Sequence, residues 1–298
     1  MENQQVVHSE RPTLISWGIL LLLGLVWGSS YILIKKSLVA FSPIQVACLR
    51  LSISAIAFFP VFLWHFRDID WSKLKYLVLV GVTGSGLPAI LFSTAQTEIS
   101  SSVAGVLSSL SPLFTLVIGI LFFGASAVWS KISGILVGLL GAVFLILFGQ
   151  NAGIEGNLWY GGLILIGCIC YAVSSNAVKA HLQEMSSIKI SSAAFFIVGI
   201  PCLIYLLTTD VLTIIQTHEH GWTSLGTVTL LALAGTVMAT ILFFKLVQVT
   251  NPVFASLVSY LIPVIAILLG AYDGEPITFL HVLGMVLILV GVYLTNKK

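Results

Sequence analysis

Ser102-Val-Ala-Gly-Val-Leu-Ser-Ser-Leu-Ser-Pro-Leu-Phe-Thr-Leu-Val-Ile-Gly119 is an apolar stretch of membrane-spanning length with a serine cluster and a proline in its middle. It recurs 151 positions later as Val253 to Gly270, where Ala104, Ser108, Leu110, Pro112 and Gly119 return as Ala255, Ser259, Leu261, Pro263 and Gly270. Proline lacks the N–H that would bond the carbonyl four residues back, so the carbonyls of Ser108 and Ser259 are expected to lose their usual partner. In hydrocarbon such a carbonyl persists only where protein or a wet cavity covers it. Two matching polar breaks, one in each half, point to a binding site between repeats and make Pro112 and Pro263 candidate hinges.

The chain of 298 residues is 58% hydrophobic and 8% charged, with a mean hydropathy of +1.09. That composition belongs in a bilayer. A helix needs about 20 apolar residues to cross, and ten such spans are expected, at 14–34, 43–64, 74–95, 101–123, 128–149, 158–178, 187–208, 224–246, 252–271 and 277–295. Residues 1–13 form a polar tail, 14–150 a first five-span unit, 151–295 a second, and 296–298 a short tail. The apolar run from Leu14 is too long for a signal-peptide core and lacks a small-residue cleavage site, so it is expected to stay as the first span. Cys48, Cys168, Cys170 and Cys202 all fall in spans and imply neither a disulfide framework nor a metal site.

Ten of the 13 Lys and Arg lie at the N-terminus, the C-terminus or the even-numbered loops, and only Lys35 and Lys36 on the other side. Excess positive charge marks the cytoplasmic side, which places both termini there. The small net charge of +2 is spread over loops, and nucleic acid is not expected as a partner. Trp17, Trp64, Trp71, Trp129, Trp159 and Trp222 sit near the expected interfaces, as an aromatic belt does.

The duplication extends beyond the serine-proline stretch. Trp27, Ser30 and Lys35 match Tyr171, Ser174 and Lys179 at an offset of 144, and Gly124, Gly134 and Gly141 match Gly274, Gly284 and Gly291 at 150. Because five is odd, the second copy enters from the opposite face. The expected fold is an all-α membrane protein of ten transmembrane helices in two inverted five-helix repeats, an architecture of secondary transporters. Gly24 and Gly28, Gly134 and Gly138, and Gly105 and Ser109 are small residues four apart, suited to close packing inside the bundle or to a seam between two copies. Monomer and homodimer are both compatible with them.

Trp27-Gly-Ser-Ser-Tyr-Ile-Leu-Ile-Lys35-Lys36, Leu49-Arg50-Leu51, the run from Thr97 to Gly119 and the stretch from Gly274 to Leu294 together resemble the EamA-type transporters of the drug/metabolite transporter superfamily. The resemblance covers nearly the whole chain. It implies an inner-membrane carrier, often an exporter of amino acids or related metabolites, holding its small-molecule substrate between the halves. One departure is that the Gly-Glu of Gly274-Glu275, usual in both halves of such proteins, is Gly124-Ala125 in the first. The small multidrug exporters of the superfamily carry a glutamate in their first span, and this chain has none there.

Arg50 is the most costly residue in the membrane portion. It lies about seven residues into its span, roughly 10 Å deep, where a guanidinium costs about 3 kcal/mol unless it snorkels or pairs. It either attracts a substrate carboxylate or a helix end, or snorkels to the nearer interface. Further candidates for a substrate-binding cavity are Trp27, Ser30, Phe92, Gln96, Ser108, Ser109, Tyr171, Ser174, Asn176, Thr240, Phe243, Ser259 and Tyr260. A serine in a helix bonds its own backbone readily, so each hydroxyl also has a purely structural reading.

Glu98, Asp273 and Glu275 fall near span ends and are expected to be solvated, and no Asp or Glu lies mid-span as a proton relay requires. No G-x-x-x-x-G-K-[ST] loop is present for ATP hydrolysis. A secondary carrier without cofactor or bound metal follows, His218, Glu219 and His220 being read as a solvated loop. The competing class is an intramembrane enzyme built on Thr83-Gly84-Ser85-Gly86, which lacks a mid-span histidine as base.

Overall fold

A computed structural model describes residues 13–123, 133–134, 136–141, 154–249 and 258–296. The expected fifth span, 128–149, falls largely outside the described residues, as do the N-terminal tail, Gly124, Ala125 and Trp129. The side chains of Lys179, Ser259 and Tyr260 are likewise not described.

The described residues form an all-helical membrane protein. Helix α1 spans Leu14–Ser37, α2 Pro43–His65, α3 Leu74–Gly81, α4 Leu87–Ala95, α5 Ser101–Ser108 and α6 Ser111–Phe123. Then follow α7 Ile154–His181, α8 Ser187–Leu207, α9 Val211–Thr217, α10 Gly221–Ala232, α11 Ala239–Val249, α12 Val258–Tyr272 and α13 Phe279–Asn296. Seven continuous helical stretches are long and apolar enough to cross a bilayer, and Leu261–Tyr272 and Phe279–Gly291 are shorter apolar helices. Thr13 and Ser42 cap α1 and α2 with reciprocal side-chain bonds to Ser16 and Gln45, so both helices start where hydroxyl acceptors meet free N–H groups. The exposed rings of Trp17, Trp64, Trp71, Trp159 and Trp222 fit the expected aromatic belt.

Two expected spans are not regular helices. The stretch 74–95 contains a π-helical turn at Val82–Gly86 between α3 and α4, where the Leu87 N–H reaches back five residues to the Val82 carbonyl. A second such turn, Leu233–Met238, separates α10 from α11. Their central glycines, Gly84 and Gly235, are 151 positions apart, the same offset as the serine-proline stretches. The stretch 101–123 breaks at Ser109 and Leu110, whose N–H groups bond back only three residues. Pro112 then lies in the first turn of α6, where its missing N–H costs nothing. Pro263, in contrast, sits inside the continuing helix α12. The two prolines therefore mark one helix break, not a matching pair.

Helices from distant parts of the chain pack on one another. Helix α2 runs along α8, with Phe58 stacked on Phe195 and Phe62 on Phe196 at ring separations of 5.4 and 4.1 Å. Gly199 lets these backbones close, since a Cβ there would lie 2.8 Å from the Leu51 carbonyl. Helix α1 meets α12 through Gly24 and Gly28, where a Cβ would strike Leu261 and Ile265. Gly105 likewise meets Ala266. Gly138 and Gly291 meet each other, with Gly134 alongside. These glycines serve packing within the chain. The long connection after α8 is also not bare loop, because α9 buries Val211 and Ile215 against Phe41 and Val46.

At one end of the bundle the expected solvation of Glu275 fails. Glu275 is only 8% exposed. Its Oε1 accepts from the Ser101 N–H and Lys35 Nζ, each at 2.9 Å, and its Oε2 from the Ser102 N–H at 3.0 Å and the Ser102 hydroxyl at 2.7 Å. The carboxylate thus answers the free N–H groups and positive dipole at the start of α5. Asp273 pairs with Lys36 and, at 3.0 Å, with Lys35. Gly274, at φ +84°, turns the chain so that Glu275 points back. Gly270 leaves the space the carboxylate fills. The ion pairs near the other ends of the helices, Lys73 with Glu184 and Lys189 with Asp68, involve carboxylates 89% and 59% exposed. Exposed pairs of that kind hold little.

Gly28→Val drives a side chain into Ile265 and is expected to lower stability by about 1–3 kcal/mol, read as faster thermal loss of the monodisperse protein in detergent. Burial alone would raise the Glu275 pKa, but the Ser102 hydroxyl, Lys35 and the two N–H groups hold it below the ordinary range. The linkage follows: its contribution is full above about pH 4.3, the ordinary glutamate value, and fades as pH falls through the lower folded value. Glu275→Gln is expected to remove about 1–3 kcal/mol at pH 7 and progressively less as pH falls below about 4.3. A variant equally stable to wild type at pH 7 contradicts this.

Candidate functional site

The site is built where α1, α2, α4, α7 and the second π turn converge. Arg50 Nε donates to Thr236 Oγ1 at 2.9 Å. The direction of this bond settles how the arginine lies. Ser54, one turn further along α2, bonds the Ala232 carbonyl, and Thr236 is in turn four residues beyond Ala232. With α2 and α10–α11 running in parallel, the Arg50 side chain points away from its own end of the bundle, toward the middle. It does not snorkel. Among the described residues no carboxylate lies within ion-pair distance of it.

Aromatic groups surround this position. Tyr31 and Tyr171 are both within electrostatic reach of the guanidinium. The Tyr31 ring lies 6.1 Å from Phe92, and Phe92 lies 5.9 Å from Tyr171. Gly167 makes room for the Phe92 ring, which a Cβ would approach to 2.6 Å. Trp27 donates from Nε1 to the Gly235 carbonyl at 3.1 Å and tilts against Phe243 at 5.4 Å. A π turn lets a carbonyl leave the helical ladder, and at Gly235 the indole covers it.

The structure divides the expected residues into two groups. Trp27 and Arg50 bond the second π turn and Phe243 packs on Trp27, while Phe92 and Tyr171 pack on one another. Ser108 joins them through Tyr31, whose hydroxyl donates to Ser108 Oγ at 2.5 Å. Gln96 also belongs here: its Nε2 donates to the Tyr31 carbonyl at 2.7 Å, while its buried Oε1 has no hydrogen-bond partner among the described residues. Thr240 lies half-buried one turn beyond Thr236.

Other candidates are consumed by the scaffold. Asn176 donates to the Thr115 and Ala172 carbonyls, tying α7 to α6. Ser30 bonds the Val26 carbonyl and fills the space beside Gly235, and Ser174 does the same beside Gly84 with a weak bond to the Val80 carbonyl. Ser109 bonds Val106 in its own helix end. The Ser108 carbonyl, expected to lose its helical partner and to be covered by protein or a wet cavity, is covered by protein: the Ser111 hydroxyl at 2.7 Å and the Cys168 thiol at 3.8 Å. An unpaired carbonyl in this setting costs several kcal/mol, so nearby hydroxyls and thiols close on it.

Residues that sequence reasoning passed over are Tyr31, Thr236 and the two π turns. The signal for Thr236 and the turns lay in the 151-residue offset, which aligns Gly84 with Gly235, Ser85 with Thr236 and Phe92 with Phe243. It also reassigns Thr83-Gly84-Ser85-Gly86, which forms the first π turn and is no nucleophile elbow. His281 is occupied at the start of α13, its Nδ1 facing the Thr278 N–H and hydroxyl.

Similarity to known proteins agrees with this geometry. The EamA-like transporter family matches twice, over residues 15–147 and 158–297. An uncharacterized transporter of Archaeoglobus fulgidus is 26% identical over 283 residues, covering 95% of this chain and 99% of that protein. The uncharacterized inner membrane transporter YedA of Escherichia coli K12 is 26% identical over 303 residues, covering 97% and 95%. A probable terminal-alkyne amino-acid exporter of Streptantibioticus cattleyicolor is 23% identical over 292 residues, covering 94% and 92%. A solved structure titled only as the crystal structure of a protein shares the fold, with a TM-score of 0.62 and 15% identity over 94% of this chain and 96% of its own. A polar, aromatic-lined site among membrane helices, in a chain matched along both halves, has one identity: the protein belongs to the EamA-like transporters, a family of membrane transporters and not of enzymes.

Proposed function

We propose that the protein is a ten-span secondary carrier of two inverted five-helix repeats, bounded near residue 150, that exports a small metabolite by alternating access. The substrate class is an amino acid or related compound, and the membrane is the cytoplasmic one with both termini inside. The observation that carries this reading is the pair of matched junctions: Ser30 of α1 against Gly235, and Ser174 of α7 against Gly84. The first helix of each half seats on the widened turn of the other half, as two copies of one unit related by a two-fold axis would. The family match in each half supports the duplication, and the excess of Lys and Arg on one side supports the orientation.

Alternating access needs two ends that open in turn. With the termini inside, Glu275, Lys35 and the start of α5 close the outer end through a buried carboxylate, while the inner end carries only weak, exposed ion pairs. Widened turns at Gly84 and Gly235 offer a place for helices to bend, because their hydrogen bonds already depart from the regular ladder. The name of the Streptantibioticus relative and that of YedA support an amino-acid-like substrate and an inner membrane. The multidrug reading loses ground because no acid to attract cations lies at mid-helix among the described residues.

The test is counterflow in proteoliposomes across a panel of labelled amino acids, nucleosides and cationic drugs. Saturable, protein-dependent exchange of at least one amino acid or related metabolite is expected. Gly235→Val, which forces a side chain against Ser30, is expected to slow it at least about tenfold while the purified variant stays monodisperse. Equal flux with and without protein over the whole panel refutes the carrier.

A further inference from the structure

Arg50 is the one charge in the middle of the described helices that the protein leaves without a counter-charge. A guanidinium stays protonated wherever it is placed, and Arg50, part-buried among apolar helices, is a charge that is ordinarily paired. Lys35 and Lys36 are engaged by Asp273 and Glu275 at the bundle end, and His281 by Thr278. Arg50 makes a single bond to a neutral hydroxyl, through Nε. That bond holds the guanidinium plane and leaves both Nη groups to meet a planar acceptor end-on, the geometry a carboxylate satisfies bidentately.

The surroundings narrow the ligand further. One cation matches one negative charge, and no second Lys, Arg or His stands near mid-helix among the described residues to hold a dianion. Tyr31, Phe92 and Tyr171 pack in a row of rings, with Trp27 one turn before Tyr31 on α1, an apolar and aromatic setting for the body of a ligand held at Arg50. The site is not symmetric: at the 144-residue offset that aligns the capping residues Ser42 and Ser186, Arg50 corresponds to Ala194. A ligand with one charged end therefore has one way to lie. Gln96 Oε1, a buried acceptor with no partner beside the Tyr31 backbone, suits a ligand N–H.

Building on the carrier reading above, we propose that Arg50 binds the substrate's carboxylate, and that the substrate is an amphipathic monocarboxylate whose apolar body lies among Trp27, Tyr31, Phe92 and Tyr171. Thr236 is then a positioning residue, acting through the guanidinium plane. A carboxylate on Arg50 neutralises the site, whereas a cation meets like charge there, so the preference has an electrostatic sign as well as a shape.

Acid and amide pairs test it, because they share shape and differ in charge. Thermal shift and calorimetry on the full chain in nanodiscs compare L-leucine, L-phenylalanine and 4-methylvalerate with L-leucinamide, L-phenylalaninamide and 4-methylvaleramide. At least one acid is expected to stabilise the protein, with its amide at least about tenfold weaker. Arg50→Gln is expected to abolish the difference between acid and amide. Arg50→Lys keeps the charge but loses the fork, and is expected to weaken acid binding about tenfold. If Arg50→Gln does not fold, the wild-type pairs and Arg50→Lys decide. Amides that bind as tightly as acids, acid binding unchanged in a folded Arg50→Gln, or no acid binding at all overturns the assignment. Counterflow of neutral or cationic compounds alone would overturn it while leaving the carrier reading intact; absence of all counterflow removes the carrier reading itself.

Discussion

A backbone carbonyl or N–H released from its helix within the bundle has little water to bond, so the protein has to supply its partner. Three interruptions in this bundle show the consequence. The Gly235 carbonyl is met by the Trp27 indole, the Ser108 carbonyl by Ser111 and Cys168, and the start of α5 by the Glu275 carboxylate. In each case at least one covering group comes from another segment of the chain, and the bond that repairs the backbone also fixes two segments against each other. Packing and hydrogen bonding are one constraint here, because leaving either unmet costs several kcal/mol in hydrocarbon.

That constraint explains where charge is tolerated. Glu275 is buried yet bound by two N–H groups, a hydroxyl and a lysine, so its desolvation is offset locally. Arg50 has one neutral partner, which orients it without neutralising it. The two residues differ also in being singular. In the duplicated frame Glu275 corresponds to Ala125 and Arg50 to Ala194. A chain made of two similar halves thus carries its strongest charges once each, one closing an end and one facing the middle, and that broken symmetry gives the bundle distinguishable ends.

Some of this was legible in particular residues. Gly24, Gly28 and Gly105 read as close-packing positions and are such, and among the described residues Trp17, Trp64, Trp71, Trp159 and Trp222 stand exposed as a belt requires. Of the residues read as cavity candidates, Trp27 and Arg50 both bond the second π turn, and Phe92 packs on Tyr171. The serines misled, because a hydroxyl in a helix reads the same whether it faces a ligand or bonds back to its own turn, as Ser30 and Ser109 do. The matched prolines differ in outcome: proline removes a bond at both Pro112 and Pro263, but α5 and α6 part before Pro112, where Ser109 and Leu110 form a tighter turn, whereas Pro263 lies inside the described helix α12.

The sequence by itself determined that the chain is apolar enough for a bilayer, which stretches are helical, that its halves repeat, and which residues are costly to bury. Those properties follow from transfer energies and local hydrogen bonding, which each residue carries wherever it goes. Only the tertiary structure decided that Arg50 points inward to Thr236, 186 residues away, and that Glu275 caps a helix 174 residues before it. Such partners are chosen by which helices lie side by side, and a helix with apolar residues on every side carries no periodic mark of its neighbour.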